Sequence, residues 1–303
     1  MSNNEKYYYT SFISYLKKNF GEKYGKIGLT LHTPCPNNPP CIFCNQTSFI
    51  PHTSKNILSV KDQIDDALPY LKKKYQTESF IAYFQDNTST FGNIEYLYKA
   101  FQESVAPKNI KALAISTRPD NINIEILEML KKASKNKPVW LELGLQSIHD
   151  STLSEIHRGH DFNDFMKAFN LIRENTDFQI GVHMIIGLPN ETDEMIYSSM
   201  KKLNRINPDY VKFHHLQVLN NTELEEYYSS GSYTPLTLEK YVELFCNSLS
   251  YLNKDIVIQR LLSRAHSNEL IAPKWGINTE QFKKIFKEYM DKHDLYQGSR
   301  TNS

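Results

Sequence analysis

The sequence predicts an α/β fold, a partial (βα)6 TIM-type barrel followed by an α-rich C-terminal extension. Three observations predict it. Six short apolar runs alternate with amphipathic stretches, polar side chains recur at the carboxyl end of each run, and the alternation stops after residue 216. Alternating β and α elements imply right-handed crossovers and a parallel sheet. An open sheet gathers functional side chains at one switch point, whereas a barrel brings the end of every strand to one rim.

Before the first strand, a helical pattern over about 8–20 reads as a cap on the barrel base, giving a capping segment 1–25. The strands are "KIGLTLHT" (26–33), "SFIAYFQ" (79–85), "IKALAIS" (110–116), "VWLELGL" (139–145), "FQIGVHMIIG" (178–187) and "DYVKFHHL" (209–216). Each is short and rich in β-branched, aromatic or aliphatic residues, as buried parallel strands are. Helical periodicity falls between them at about 60–75, 94–105, 122–134, 162–175 and 192–206, with Pro69 expected to kink the first. Residues 26–216 therefore form the barrel. Residues 217–303 read as an extension packed on it: a loop, a helix at about 237–252, the short strand "DIVIQR", a second loop, a helix at about 279–292 and a fraying tail.

With 40% hydrophobic and 23% charged residues, the chain has the composition of an ordinary soluble globule. A net charge of +1 argues against the whole molecule acting as an electrostatic magnet for nucleic acid. Local asymmetry exists: up to Lys61, seven lysines face two glutamates, and "KKASKNK" and "KKIFK" are further basic clusters. These read as solvated faces or as a phosphate-contacting surface. No apolar run approaches the roughly 20 residues of a membrane helix. "MSNNEKYYYT" holds no signal-peptide core, so the expected compartment is the cytoplasm, with no membrane partner. There, clustered cysteines suggest a metal centre, not a disulfide framework.

The cysteine spacing is Cys35-x5-Cys41-x2-Cys44. Thiolates ligate zinc, copper(I) or iron–sulfur clusters. A closed zinc site needs a fourth ligand, which His32 or His52 could supply. A [4Fe–4S] cluster held by three thiolates leaves one iron open to a chelating ligand. Cys246, in "VELFCNSL", reads as a buried apolar residue. Gln85, Ser116, Arg118, Asp120, Gln146, His214 and His215 end strands or follow them. Glu142 alternates with Leu141 and Leu143. If those face the helices, Glu142 points into the barrel and needs a partner, for which Arg118 is a candidate. His183, between Val182 and Met184, is a satisfied core histidine or a ligand contact.

A three-cysteine loop after the first strand, ending Cys-x-aromatic-Cys within a six-fold βα pattern, resembles the radical S-adenosylmethionine (radical SAM) superfamily. "IAYFQDNTST", "ISTRPD", "VWLELGLQSIHDSTLSEIHRGHDF", "VHMIIGLPNET" and "IAPKW" are similar, in the same order, to its YhcC/YtqA-like branch. The "LELGLQS…RGH" block also resembles the Elp3 type. The resemblance runs over about residues 7–295. Two departures stand out: only "PNNPP" separates the first two cysteines, where relatives have a longer glycine-rich segment, and "LLSRAHSNEL" replaces a Gly-Asp pair near the C-terminus.

The resemblance implies that Cys35, Cys41 and Cys44 ligate a [4Fe–4S] cluster whose open iron binds the amino and carboxylate groups of SAM. One electron then splits SAM to methionine and a 5′-deoxyadenosyl radical, which abstracts hydrogen from a substrate. It implies Phe43 shielding the cluster near adenine, and Arg118 or Arg158 forking the SAM carboxylate, with Arg158 in "RGH" the better positional match. It implies ribose contacts from Gln85, Ser116 and Gln146, Glu142 near the SAM amine, His183 as a further contact, and Gly187 passing close to adenine. The implied substrate is the C5 side chain of a wobble uridine in tRNA, and the implied reductant a flavodoxin- or ferredoxin-type protein. Two alternatives stay open: the same chemistry on a small or porphyrin-like molecule, and a non-catalytic zinc-stabilised barrel that binds RNA or protein.

Overall fold

The computed structural model describes residues 7–45, 59–263 and 265–301. Its strands are β1 (Gly25–Leu29), β2 (Phe80–Phe84), β3 (Ile110–Thr117), β4 (Val139–Gln146), β5 (Gln179–Ile186), β6 (Tyr210–His215), β7 (Val218–Leu219), β8 (Val257–Arg260) and β9 (Leu270–Ala272). The helices are α1 (Phe12–Phe20), α2 (Val60–Tyr75), α3 (Ile94–Val105), α4 (Ile124–Ala133), α5 (Asp150–Glu155), α6 (Phe162–Asn175), α7 (Asp193–Ile206), α8 (Glu223–Ser229), α9 (Leu238–Ser250) and α10 (Thr279–Lys292). β1 to β6 lie side by side in chain order and β8 continues the sheet beyond β6, every pairing parallel. The result is a parallel half-barrel with β1 and β8 at its edges, while β7 and β9 form a separate antiparallel ribbon.

The helices start where the sequence supplies caps. Ser11, Ser59, Asn93, Asn123, Asp161, Thr192 and Thr237 each accept an N–H of the first turn. α2 runs through Pro69 over its full 16 residues. No helix among the described residues is long and apolar enough to cross a membrane.

Strand alternation separates two apolar layers. Leu141, Leu143 and Leu145 face outward and pack with Ile126, Leu130, Phe165 and Phe169 of the covering helices. Ile81, Ala112, Ala114, Trp140, Tyr210 and Val257 face inward, where Phe12 and Leu16 of α1 close the floor. The Phe12 ring meets Trp140 edge-on at 5.7 Å between centroids.

The expected six strands become seven because "DIVIQR", read as part of the extension, pairs parallel with β6. The first strand stops at Leu29, short of the expected Thr33. Beyond it the Gln63 amide takes over the ladder, accepting from the Thr30 N–H and donating to the Thr30 carbonyl, both at 3.0 Å. α5, α8 and the β7–β9 ribbon occupy segments expected to be loops.

Gly181 in β5 stands opposite Tyr210 in β6, and a Cβ there would lie 2.1 Å from the Tyr210 ring. That ring is buried in the floor and has nowhere to retreat. Gly181→Ala is therefore expected to cost about 1–3 kcal/mol by overpacking, read as a lower urea midpoint at unchanged m-value.

Candidate active site

The loop after β1 carries the three thiols to one cavity of about 420 Å³. Cys41 is buried; Cys35 and Cys44 are half-buried. The Ile42 N–H donates to the Ile156 carbonyl at 3.2 Å, and the Ile42 carbonyl accepts from Leu224 at 2.8 Å. The Ile42 side chain anchors in a second apolar cluster with Leu153, Ile156 and Leu224, leaving Phe43 on the cavity wall. Cys44 N–H closes a turn onto the Cys41 carbonyl at 2.8 Å. Asn37 Nδ2 reaches Cys41 Sγ at 3.5 Å and the His157 carbonyl at 2.7 Å. This approach requires Gly159, where a Cβ would lie 2.0 Å from Asn37 Oδ1.

Arg158 donates from Nη1 to Cys41 Sγ at 3.6 Å and from Nε and Nη2 to the Gly144 carbonyl at 3.0 and 2.6 Å. N–H donors aimed at sulfur favour a thiolate. Burial, then the neighbouring Cys41 and Cys35 thiols, push the Cys44 thiol up to about 12, so a bound cation is what would hold it as thiolate. Three thiols facing one cavity, with donors on sulfur, fit a cluster gripped at three corners. Among the described residues no group of three or more His, Cys, Asp and Glu could hold a single metal ion. His32, considered as a fourth zinc ligand, is exposed and does not line the cavity; His52 lies outside the described residues. Cys246 is buried in the outer core with Tyr241 and Phe245.

The cavity floor is built around Glu142, which is wholly buried. Its Oε2 accepts from Tyr83 Oη at 2.6 Å, Ser116 Oγ at 3.0 Å, His183 Nε2 at 2.7 Å and Lys212 Nζ at 2.9 Å. Its Oε1 accepts from Gln259 Nε2 at 2.9 Å and faces Lys26 Nζ at 3.9 Å. Burial opposes the charge, but Lys212, Lys26 and His183 together hold the carboxyl well below the usual carboxylate range. Burial also pushes the Lys212 ammonium down to about 7, with Glu142 resisting.

Of the residues singled out in the sequence, Cys35, Cys41, Phe43, Cys44, Gln85, Ser116, Arg118, Glu142, Gln146, Arg158 and His183 all line this cavity. Two differ from expectation. Arg118 does not pair with Glu142: its guanidinium forks onto Asp120 at 3.0 and 2.7 Å and donates to the Arg158 and Gly159 carbonyls at 2.7 and 3.0 Å. It braces the "RGH" loop, because Asp120 sits two residues away in the turn after β3. Gly187 is not brought in. It lines a neighbouring crevice, its carbonyl accepting from Tyr233 Oη at 2.9 Å, and Leu236 covers the side where a Cβ would be.

Lys212, Gln259, Arg260, Asn37 and Thr88 also line the cavity or bond its groups, and the sequence reading passed over them. Lys212 had a signal, a lone lysine between Val211 and Phe213 in an apolar strand. Gln259 and Arg260 had none once their strand was assigned elsewhere.

Burial and the charge of Arg260 keep the His214 imidazole well below its ordinary range and push His215 down to about 3. Both are neutral in the fold and take a proton near pH 6.5 when unfolded. The unfolded chain therefore binds more protons below about pH 6.5. Stability should fall with pH from there towards about 3, at up to about 1.4 kcal/mol per pH unit for each group. Urea midpoints at pH 7, 6 and 5 check this. His215→Asn should flatten the dependence, and an equally steep profile in that variant would remove His215 as a source.

A model of the radical SAM superfamily matches residues 30–203, and one of the radical SAM C-terminal domain matches residues 208–291. The protein YtqA of Bacillus subtilis is 28% identical over 304 residues, 98% of this chain and 94% of its own length. A tRNA uridine(34) acetyltransferase of Methanocaldococcus jannaschii is 28% identical over 188 residues, 61% of this chain but 33% of that protein. The structure of an N-terminally deleted archaeal Elp3 from Methanocaldococcus infernus shares the fold, with a TM-score of 0.69 at 20% identity; the match covers 90% of this chain and 64% of that one. A family model that spans more than half of the sequence agrees with the thiol loop and the half-barrel that presents it, and the chain belongs to the radical SAM superfamily.

Proposed function

We propose that this chain cleaves SAM reductively in the β-barrel cavity and uses the product to modify the C5 side chain of a wobble uridine in tRNA. Family membership implies a [4Fe–4S] cluster and SAM. The observation that carries the reading is the facing of three thiols and the Glu142 network across one cavity. When bound, the cluster and SAM supply a carbon radical able to abstract hydrogen. The chain's own residues bind, orient and exclude water.

In this reading Cys35, Cys41 and Cys44 hold the cluster and Arg158 meets the SAM carboxylate beside Cys41. Ser116, Gln85 and Gln146 serve the ribose hydroxyls. The Glu142 carboxylate, held ionised by Lys212 and Lys26, fixes the cavity floor against which SAM would be held. Phe43 covers the cluster from the wall. The reductant is a small electron carrier of flavodoxin or ferredoxin type.

The similarity to a tRNA uridine(34) acetyltransferase supports the substrate class. A cavity of about 420 Å³ admits a side chain or an unstacked base, not a folded helix. Mass analysis of nucleosides from the tRNA of a deletion strain tests it. One C5-substituted wobble uridine should change and return on complementation. An unchanged profile would move the substrate to the small-molecule class.

A further inference from the structure

We propose that the cavity wall formed by β6 and β8 is a subsite for a carboxylate on the substrate, with Arg260 and His214 as its donors. The proposal rests on reading this cavity as the place of SAM cleavage, and it specifies what the second ligand carries.

The wall is shaped by a register shift. Lys212 pairs with Arg260 although the preceding partners are Val211 and Ile258, so Gln259 is the extra residue on β8. Such a bulge re-aims neighbouring side chains. Here Gln259 reaches Glu142 at 2.9 Å and Arg260 lines the cavity.

The guanidinium groups in the cavity are used differently. Arg118 is bound to Asp120 and two carbonyls, and Arg158 to the Gly144 carbonyl and Cys41. Among the described residues Arg260 makes no side-chain hydrogen bond or ion pair, although it is half-buried. Its charge nevertheless reaches the site, lowering the proton affinity of Lys212, His214 and His215. Glu142 cannot neutralise it, being engaged by Lys212 at 2.9 Å and Lys26 at 3.9 Å. A half-buried cation without a counter-ion calls for an anionic ligand.

Beside it, His214 Nε2 is buried without a hydrogen-bond partner among the described residues, and its ring also lines the cavity. A neutral imidazole in the Nε2–H form donates one hydrogen bond without adding charge. One planar fork and one neutral donor match a single negative charge in a plane, which is a carboxylate. A phosphate dianion would need a second free cation, and Lys212 is already matched.

The SAM carboxylate has a better place. Once bound it would be held next to the thiols, where Arg158 stands 3.6 Å from Cys41 Sγ. Arg260 belongs to the opposite edge strand of the sheet from β1, which the thiol loop follows. The carboxylate at Arg260 therefore belongs to the molecule that loses hydrogen. Under the uridine reading, the C5 side chain ends in an acid.

The test uses cluster-loaded protein saturated with SAM and two matched probe pairs. In ¹⁹F NMR, difluoroacetate should broaden and difluoroacetamide should not, and the broadening should vanish in Arg260→Gln and partly return in Arg260→Lys. By equilibrium dialysis, 5-carboxymethyluridine should bind at least tenfold tighter than 5-carbamoylmethyluridine, with the preference lost in Arg260→Gln. SAM affinity should differ less than twofold between wild type and Arg260→Gln. Equal behaviour of difluoroacetate and its amide, a preference that survives Arg260→Gln, stronger displacement by inorganic phosphate than by acetate, or a tenfold loss of SAM affinity would each overturn the subsite. Arg260-dependent difluoroacetate binding without nucleoside binding would keep the subsite and remove the uridine.

Discussion

Glu142→Leu is expected to destabilise the fold by about 3–5 kcal/mol, the cost of removing one partner from a buried charge pair. The carboxylate is wholly buried and satisfies Tyr83, Ser116, His183, Lys212 and Gln259 together. Leucine leaves five donors facing an apolar group and strands the Lys212 charge. Part of that cost is relieved because Lys212, already pushed down to about 7, can release its proton. Glu142→Gln keeps an acceptor and should cost less. Adding Lys212→Met to Glu142→Leu should recover part of the loss, which a double-mutant cycle reads directly. Urea unfolding in the absence of oxygen is the measurement. A loss below about 1 kcal/mol would mean that the network contributes little net stability.

Cys41→Ala is expected to abolish iron retention and SAM cleavage while leaving the fold intact. Its Sγ receives Asn37 and Arg158, so alanine removes a ligand and two weak contacts. The stability cost should stay near that of a small cavity, about 1–2 kcal/mol. Cys246→Ala provides the contrast. Cys246 is buried between α9 and its neighbours in the outer core, so a similar stability loss should come with unchanged iron. Iron retained by the Cys41 variant would place the metal elsewhere.

Much of this architecture was legible in the sequence because local signals were complete. The cap residues Ser59, Asn93, Asp161 and Thr192 precede the helices they start. The alternation of Leu141, Glu142 and Leu143 gave the orientation of Glu142 towards the cavity floor. α8 also had its signal, Thr222 followed three residues later by Glu225, but a run of tyrosine, serine and glycine after it read as loop. The seventh strand was harder. "DIVIQR" pairs through only three residues, Val257, Ile258 and Arg260, and whether it joins the main sheet depends on tertiary pairing with β6, which no local pattern encodes. That mistake hid Gln259 and Arg260. The expected Arg118–Glu142 pair fails for a related reason: spacing shows a charge near a strand end, but not that Asp120 and two carbonyls claim its donors. Gly187 marked a β–α turn correctly, yet its positive φ of 96° serves packing under Leu236.

The wild-type protein, reconstituted with iron and sulfide without oxygen and then reduced in the presence of SAM, gives the most direct answer. About four irons per chain and formation of 5′-deoxyadenosine are expected from a cluster held by Cys35, Cys41 and Cys44. One tightly held zinc and no SAM turnover would contradict it.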